Sequence, residues 1–156
     1  MELTLRSTLL VFTIVAAGIN SGAFFVFSNF IMDSLARLAP AEGIRAMQEI
    51  NRAAPNPGFM LALVGAGVTG LVLATTAGGA PGAQWQIVGG ASSAATTLIT
   101  MFFHVPRNNR LDRVDADTAE GHAVWADYLV GWTRGNHLRA TTSALSVGCL
   151  VVAALA

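Results

Sequence analysis

The chain has 156 residues, of which 53% are apolar and only 12% are charged. This charged fraction is about half the usual share in globular proteins, which excludes an ordinary water-soluble fold. Nine basic residues, all of them arginine, balance nine acidic ones, and the zero net charge gives no reason to expect a nucleic-acid partner. Cys149 is the single cysteine, so the chain cannot form an internal disulfide.

Long stretches without charged residues predict an all-α, membrane-embedded protein with a single domain over residues 1–156. A helix needs roughly 20 apolar residues to cross the hydrocarbon core of a bilayer. Three stretches lack charge, and the middle one is divided by the helix-breaking segment GGAPGAQ at residues 78–84. The predicted spans are residues 9–31, 58–77, 85–105 and 138–156, the last extended N-terminally from about residue 121.

The arginines predict the orientation of these spans. The connection between the first two spans carries three arginines and the connection between the last two carries four, whereas the opposite side has only Arg6. The positive-inside rule therefore places both connections in the cytoplasm and both termini outside, in the plasma membrane. A cleaved signal peptide is the alternative interpretation of the first span, but its apolar run is longer than signal peptides require.

Small residues four positions apart favour a tightly packed antiparallel four-helix bundle. The rows are Ala62, Ala66, Gly70 and Ala74 in the second span, Gly90 and Ala94 in the third, and Ala140, Ala144 and Gly148 in the fourth. A row of hydroxyls, Ser92, Thr96 and Thr100, accompanies the third span. The alternative is that small residues are simply common in membrane helices.

The connections also carry local signals. Residues 41–52 place apolar side chains at helical spacing between charges, which predicts an amphipathic cytoplasmic helix on the membrane surface, with an ordinary solvated helix as the alternative. Asn56 and Pro57 form a helix-start signal for the second span. Pro106 is expected to end the third span, and residues 112–123 are expected to form a polar loop.

A row of large polar and aromatic residues precedes the last apolar run. Trp125, Tyr128, Trp132, Asn136 and Arg139 follow one another at three- and four-residue spacing, so they share one face of a helix. Taken singly, such residues are commonly an aromatic belt or a snorkelling anchor. Belt residues have no need to share a face with an asparagine and an arginine, so the row indicates a site.

Other spans bring polar groups to the same end of the predicted bundle. The third span ends near His104, followed by Asn108 and Asn109, and the first contributes Asn20 and Asn29. An unpaired amide in hydrocarbon costs several kcal/mol, so Asn20 must face the bundle interior. Polar residues within a membrane are candidates for function, although a purely interhelical bond is the alternative for Asn20.

Several segments together resemble the DUF1772 family. These are AFFVFSNFIMDSLARL, GIRAMQEINRAAPNPGFM, VPRNNRL and the row W-x2-Y-x3-W-x3-N-x2-R. The family comprises small four-span membrane proteins that include the anthrone oxygenases of aromatic polyketide pathways. The matching positions are Asn29, Asn51, Pro57, Pro106, Asn109, Trp125, Trp132, Asn136 and Arg139. A bulky residue often precedes the last asparagine in that family, so Gly135 implies a roomier pocket or a helix break, and hence a different substrate.

The resemblance implies a membrane oxygenase that converts an anthrone to an anthraquinone, with O2 as co-substrate. Such a reaction needs a base, donors for a developing oxyanion, and a flat apolar slot. The predicted catalytic residues are His104, Asn109, Asn136, His137 and Arg139, with either histidine as the base. The predicted substrate-binding residues are Asn20, Asn29, Trp125, Tyr128 and Trp132.

Other interpretations stay open at this point. His104 and His137 are candidate ligands for copper or iron, and haem is a weaker variant because both are predicted at one depth. His122 is expected to be solvated. The non-enzymatic alternative is an accessory membrane protein that docks a partner through the aromatic row. A channel is disfavoured, since no acidic residue falls within a span. The expected partners are a small lipophilic substrate, the lipid bilayer and, as an option, further copies of the chain.

Overall fold

The computed structural model describes residues 4–156, which contain helices and no strand. The helices are α1 (Leu5–Val26), α2 (Met32–Ala36), α3 (Pro40–Ala53), α4 (Pro57–Thr75), α5 (Ala83–Ile99), α6 (Val105–Leu111) and α7 (Ala119–Leu155). Two π-helical turns, Phe27–Ile31 and Thr100–His104, join α1 to α2 and α5 to α6 without a break. The all-α prediction is confirmed.

Four stretches are long and apolar enough to cross a membrane, so the chain is an integral membrane protein. They are Leu5–Ala36, Pro57–Thr75, Ala83–Leu111 and Ala119–Leu155. In the bundle α1 packs against α4 and α7, and α5 packs against the same two helices. This arrangement confirms the predicted four-helix bundle. The last helix is continuous from Ala119, so the aromatic row and the final apolar run belong to one rigid element.

Two predicted boundaries are wrong. Pro106 does not end the third span, because the π-helical turn Thr100–His104 precedes it and the proline occupies the first turn of α6. Proline is tolerated in a first helical turn, where no backbone N–H bond is needed. The polar loop is also shorter than expected: Thr118 accepts a bond from the Gly121 N–H (3.1 Å) and begins α7 there. The Asn56–Pro57 start of α4 is confirmed.

The amphipathic helix α3 packs against protein rather than against the membrane surface. Its Ile44 and Met47 are almost completely buried, together with Leu111 of α6 and Trp125 of α7. The prediction failed because α6 and α7 continue beyond the bundle and present their own apolar surface to α3. Gln48 secures the contact by donating to the Leu111 carbonyl (3.0 Å).

The small residues of α4 and α5 lie at a close helix crossing, as predicted. A Cβ on Gly70 would come within 2.8 Å of the Gly90 carbonyl oxygen, and a Cβ on Gly90 would collide with the Gly70 carbonyl. The predicted row in α7 is wrong, since Ala144 and Gly148 are exposed. The buried face of α7 instead continues the aromatic row, through Ser143, Ser146 and Leu150.

Candidate functional site

Asn136 connects α7 to α1 and to a buried arginine. Its Nδ2 donates to the Phe24 carbonyl (2.7 Å) and to Ser28 Oγ (2.8 Å). Its Oδ1 accepts a bond from Arg139 Nη2 (2.7 Å). A guanidinium can only donate and a carbonyl can only accept, so these partners fix the orientation of the amide. The predicted placement of Asn136 and Arg139 on the bundle interior is confirmed, since both are buried.

Arg139 carries a charge into the bundle, and within residues 4–156 no carboxylate pairs with it. Its side chain lies over the rings of Phe24 (4.2 Å from Cζ to the centroid) and Trp132 (5.0 Å). Apart from Asn136, its hydrogen-bond partner is Thr100 Oγ1, at a long 3.5 Å. Its Nε–H is buried and has no partner within the described residues. Such contacts hold the guanidinium in place but leave part of its donor capacity unused.

The three aromatic residues of the row form a continuous stack. The Trp125 and Tyr128 rings are 5.7 Å apart and nearly parallel, and the Tyr128 and Trp132 rings are 6.0 Å apart. All three are buried, so the belt interpretation is wrong. Trp125 packs closely against Gly43 of α3. Trp125 and Tyr128 therefore pack against other parts of the protein. Trp132 is the aromatic member of the row that lines a cavity.

Asn108, one of the polar residues after the third span that was given no predicted role, bonds to two members of this stack. Its Oδ1 accepts from the Tyr128 hydroxyl (2.9 Å) and from Trp132 Nε1 (2.9 Å). The next residue, Asn109, which was predicted to be catalytic, is exposed. The signal that identifies Asn108 is its position four residues after His104, which puts the two on one helical face.

A cavity of about 450 Å³ lies where α1, α3 and α4 meet, and it extends to α7. This volume is within the range typical of small-molecule sites. Its walls are largely apolar, with Trp132 and Phe27 among them, and its polar lining residues are Asn51, Asn56, Thr100, Asn108 and Arg139. Both π-helical turns contribute to the walls, through Phe27 and Thr100. Such turns are frequent at functional sites.

His104 is completely buried beside the cavity without lining it. Its ring packs edge-on against Phe103 (5.2 Å between centroids) and Trp132 (5.1 Å), and neither ring nitrogen has a partner within the described residues. A Cβ on Gly135 would collide with the Phe103 ring and lie 3.0 Å from His104 Nε2. Gly135 therefore makes room for these two rings. The expected roomier pocket and helix break are both wrong, because the space is filled and α7 is continuous.

The remaining predicted residues lie apart from the cavity. His137 and Asn29 are exposed. His137 lies about 200° around α7 from both Gly135 and Arg139, so it points away from His104 and the cavity. Asn20 is buried but donates to the Ala62 carbonyl (3.1 Å), which is the interhelical bond considered as its alternative. Since His104 is completely buried, the structure does not bring the two predicted metal ligands together. Within residues 4–156 no three His, Cys, Asp or Glu side chains converge, so the residues present do not fit a three-ligand metal site.

These observations define a class of protein: an integral membrane four-helix bundle with a largely apolar, partly open cavity and a buried guanidinium on its wall. The family profile described as anthrone oxygenase matches residues 45–149, which is most of the chain. The chain therefore belongs to the anthrone oxygenase family, also known as DUF1772, and the resemblance found in its sequence is confirmed. No curated protein and no solved structure matches it.

Proposed function

We propose that this protein is a membrane-embedded oxygenase that oxidises a lipophilic, anthrone-like aromatic compound with molecular oxygen. The observation that carries the proposal is the cavity of about 450 Å³ whose wall includes Trp132 and Arg139. Both residues match the family pattern, and the chain belongs to the anthrone oxygenase family. A largely apolar cavity in an integral membrane protein suits a substrate that partitions into lipid.

The reaction converts one anthrone and one O2 into one anthraquinone and one water. The central CH2 first loses a proton and leaves a carbanion whose charge is delocalised onto the ketone oxygen. The carbanion passes one electron to triplet O2, and the resulting radical pair combines into an organic peroxide anion with a new C–O bond. After this anion is protonated, loss of the second C–H proton breaks the O–O bond, forms the new C=O and releases water.

Arg139 and Asn108 are the residues best placed to stabilise the negative charge on the ketone oxygen. Both line the cavity, and both can donate hydrogen bonds to an oxygen of a bound ligand. Preorganised donors in a water-poor site typically contribute about 3 kcal/mol each to the stabilisation of a transition state. Trp132 contributes an aromatic ring to a cavity wall that is largely apolar.

The two histidines predicted as bases do not take that role in this proposal. His104 lies behind Trp132 and does not line the cavity, and His137 is exposed on the far side of α7. The contribution assigned to the protein is therefore charge stabilisation, and the substrate proton is lost to water at the membrane surface.

The accessory-protein alternative loses its docking face in this structure. Trp125, Tyr128 and Trp132 are 3%, 3% and 4% exposed, and they pack against one another. A partner would have to open the bundle to reach them. The aromatic row is better explained as the wall and support of an internal site.

The test is oxidation of emodin anthrone by the purified protein in lipid nanodiscs, with anthraquinone formation and O2 consumption followed together. Empty nanodiscs measure the spontaneous reaction. We expect a rate well above that background, equal molar amounts of quinone formed and O2 consumed, and a loss of about 100-fold in Arg139→Gln. Arg107→Gln is the matched control, because Arg107 also lies over an aromatic ring, that of Phe103, but does not line the cavity. A wild-type rate equal to that of empty nanodiscs would refute the proposal.

A further inference from the structure

We propose that the cavity binds its ligand as an anion: a lipophilic aromatic compound whose phenolate, enolate or carboxylate oxygen lies against Arg139. The inference deepens the proposed function, on which it rests for the identity of the substrate. It names the charge state in which that substrate is recognised, and it extends to aromatic acids that have no carbon to oxidise.

The first observation is an uncompensated buried charge. Arg139 is 5% exposed and is the only charged side chain buried within residues 4–156. The ion pairs found in this part of the chain join exposed residues: Arg45 with Asp117, Arg52 with Glu49 and Arg110 with Asp127. A guanidinium keeps its charge in proteins, and a charge inside a membrane protein is costly unless it is paired. A ligand oxygen with negative charge would supply the missing partner.

The second observation is that, among the residues the structure describes, no ionisable group around Arg139 can serve as this partner. The titratable side chains that face it are His104 and Tyr128. Neither residue type is an anion near neutral pH. Four of the helices that pack against α7 or line the cavity, α1, α4, α5 and α6, contain no acidic residue. The acidic side chains of α2, α3 and α7 are all exposed.

The third observation is that Asn108 also presents a donor. Its Oδ1 already accepts from Tyr128 and from Trp132 Nε1, and an indole N–H can only donate. The amide orientation is therefore fixed, and the group left for a ligand is Nδ2. Arg139 and Asn108 both line the cavity, so two donors are available to an acceptor oxygen. This combination favours an anionic oxygen over a hydroxyl.

Asn51 offers the complementary feature. It lines the cavity and donates its Nδ2 to Asp112 Oδ1 (3.3 Å), which leaves its own oxygen as an acceptor. An acceptor suits a neutral hydroxyl of the same ligand. The ligand chemistry that fits is thus an aromatic compound with one ionised oxygen and at least one further hydroxyl.

The experiment uses emodin, a hydroxyanthraquinone without an oxidisable methylene, whose visible absorption changes when its phenol ionises. Emodin is titrated with base under argon in nanodiscs that contain the protein and in empty nanodiscs. We expect half-ionisation at least about one pH unit lower with the protein, which corresponds to tenfold tighter binding of the anion. Equal titration midpoints, or no binding of emodin at all, would overturn the inference.

Variants and a second ligand pair sharpen this test. We expect Arg139→Gln to abolish the shift and Arg107→Gln to preserve it. Asn108→Asp keeps an oxygen for Tyr128 and Trp132 while it replaces the donor with a negative charge, so we expect at least tenfold weaker binding of the emodin anion. If Arg139→Gln unfolds, Asn108→Asp decides the matter: undiminished binding there contradicts the inference.

Competition tests whether the cavity recognises a carboxylate as it does a phenolate, and whether it recognises the charge or only the ring system. Anthraquinone-2-carboxylate should displace emodin at least tenfold better than its methyl ester, which has the same ring system without charge. Equal competition by the ester would overturn anion recognition. Since no step in these measurements consumes O2, anion binding without anthrone oxidation would refute the oxygenase proposal alone. Anthrone oxidation without anion binding would refute this inference alone.

Discussion

Removing the Asn136 side chain should destabilise the bundle more than any other single truncation of a polar residue at the site. Asn136→Ala deletes two bonds donated to Phe24 and Ser28 and one bond accepted from Arg139. A neutral hydrogen bond contributes about 0.5–1.5 kcal/mol net and a bond to a charged group about 1.5–3 kcal/mol. Interhelical bonds in membranes average about 0.6 kcal/mol, which sets a lower bound near 2 kcal/mol for the three. We expect a loss of about 3 kcal/mol.

The assay is reversible unfolding in mixed micelles, with tryptophan fluorescence as the signal, since Trp132 lies directly beside Arg139. The matched control is Asn109→Ala, which truncates an exposed asparagine and should change the unfolding free energy by less than about 0.5 kcal/mol. A loss below about 1 kcal/mol in Asn136→Ala, similar to that of the control, would show that these bonds do not hold α1 to α7.

Three further changes follow from the packing. Gly90→Ala should push α5 away from the Gly70 carbonyl and lower the unfolding free energy by about 1–3 kcal/mol, whereas Gly148→Ala, in open space, should be neutral. Gly135→Leu should displace the Phe103 and His104 rings and lower the unfolding temperature, and an unchanged temperature would refute that packing. Ala23→Phe fills part of the cavity and should raise KM for an anthrone about tenfold with little change in unfolding temperature.

The sequence predicted the four membrane helices because charge distribution is a direct consequence of bilayer solvation. A charged side chain in hydrocarbon is costly, so the charge-free stretches mark the spans. The shared helical face of the row from Trp125 to Arg139 was also predictable. Five residues at three- and four-residue spacing define such a face without reference to other helices. The structure confirms that this face is buried.

The side chains that meet this face were harder to predict. Asn29 lies within one π-helical turn and Asn109 follows the other, and both are exposed. A π-helical turn inserts an extra residue and rotates everything beyond it relative to a regular 3.6-residue helix. Spacing counted across these turns therefore fails, whereas the regular four-residue step from His104 to Asn108 lies beyond the second turn and holds. The burial of α3 was missed for another reason, because its partner surface is built from distant segments of the chain.

The continuous helix α7 has a mechanical consequence. Its 37 residues extend over roughly 55 Å, whereas the hydrocarbon core is about 30 Å thick. The part near Trp125 packs against α3, and the part beyond Arg139 is apolar enough to lie in the hydrocarbon core. A thinner or thicker bilayer is expected to change the tilt of such a long helix. Trp132 and Arg139, the two residues of α7 that line the cavity, would then move together. We therefore expect the shape of the cavity to depend on the chain length of the surrounding lipid.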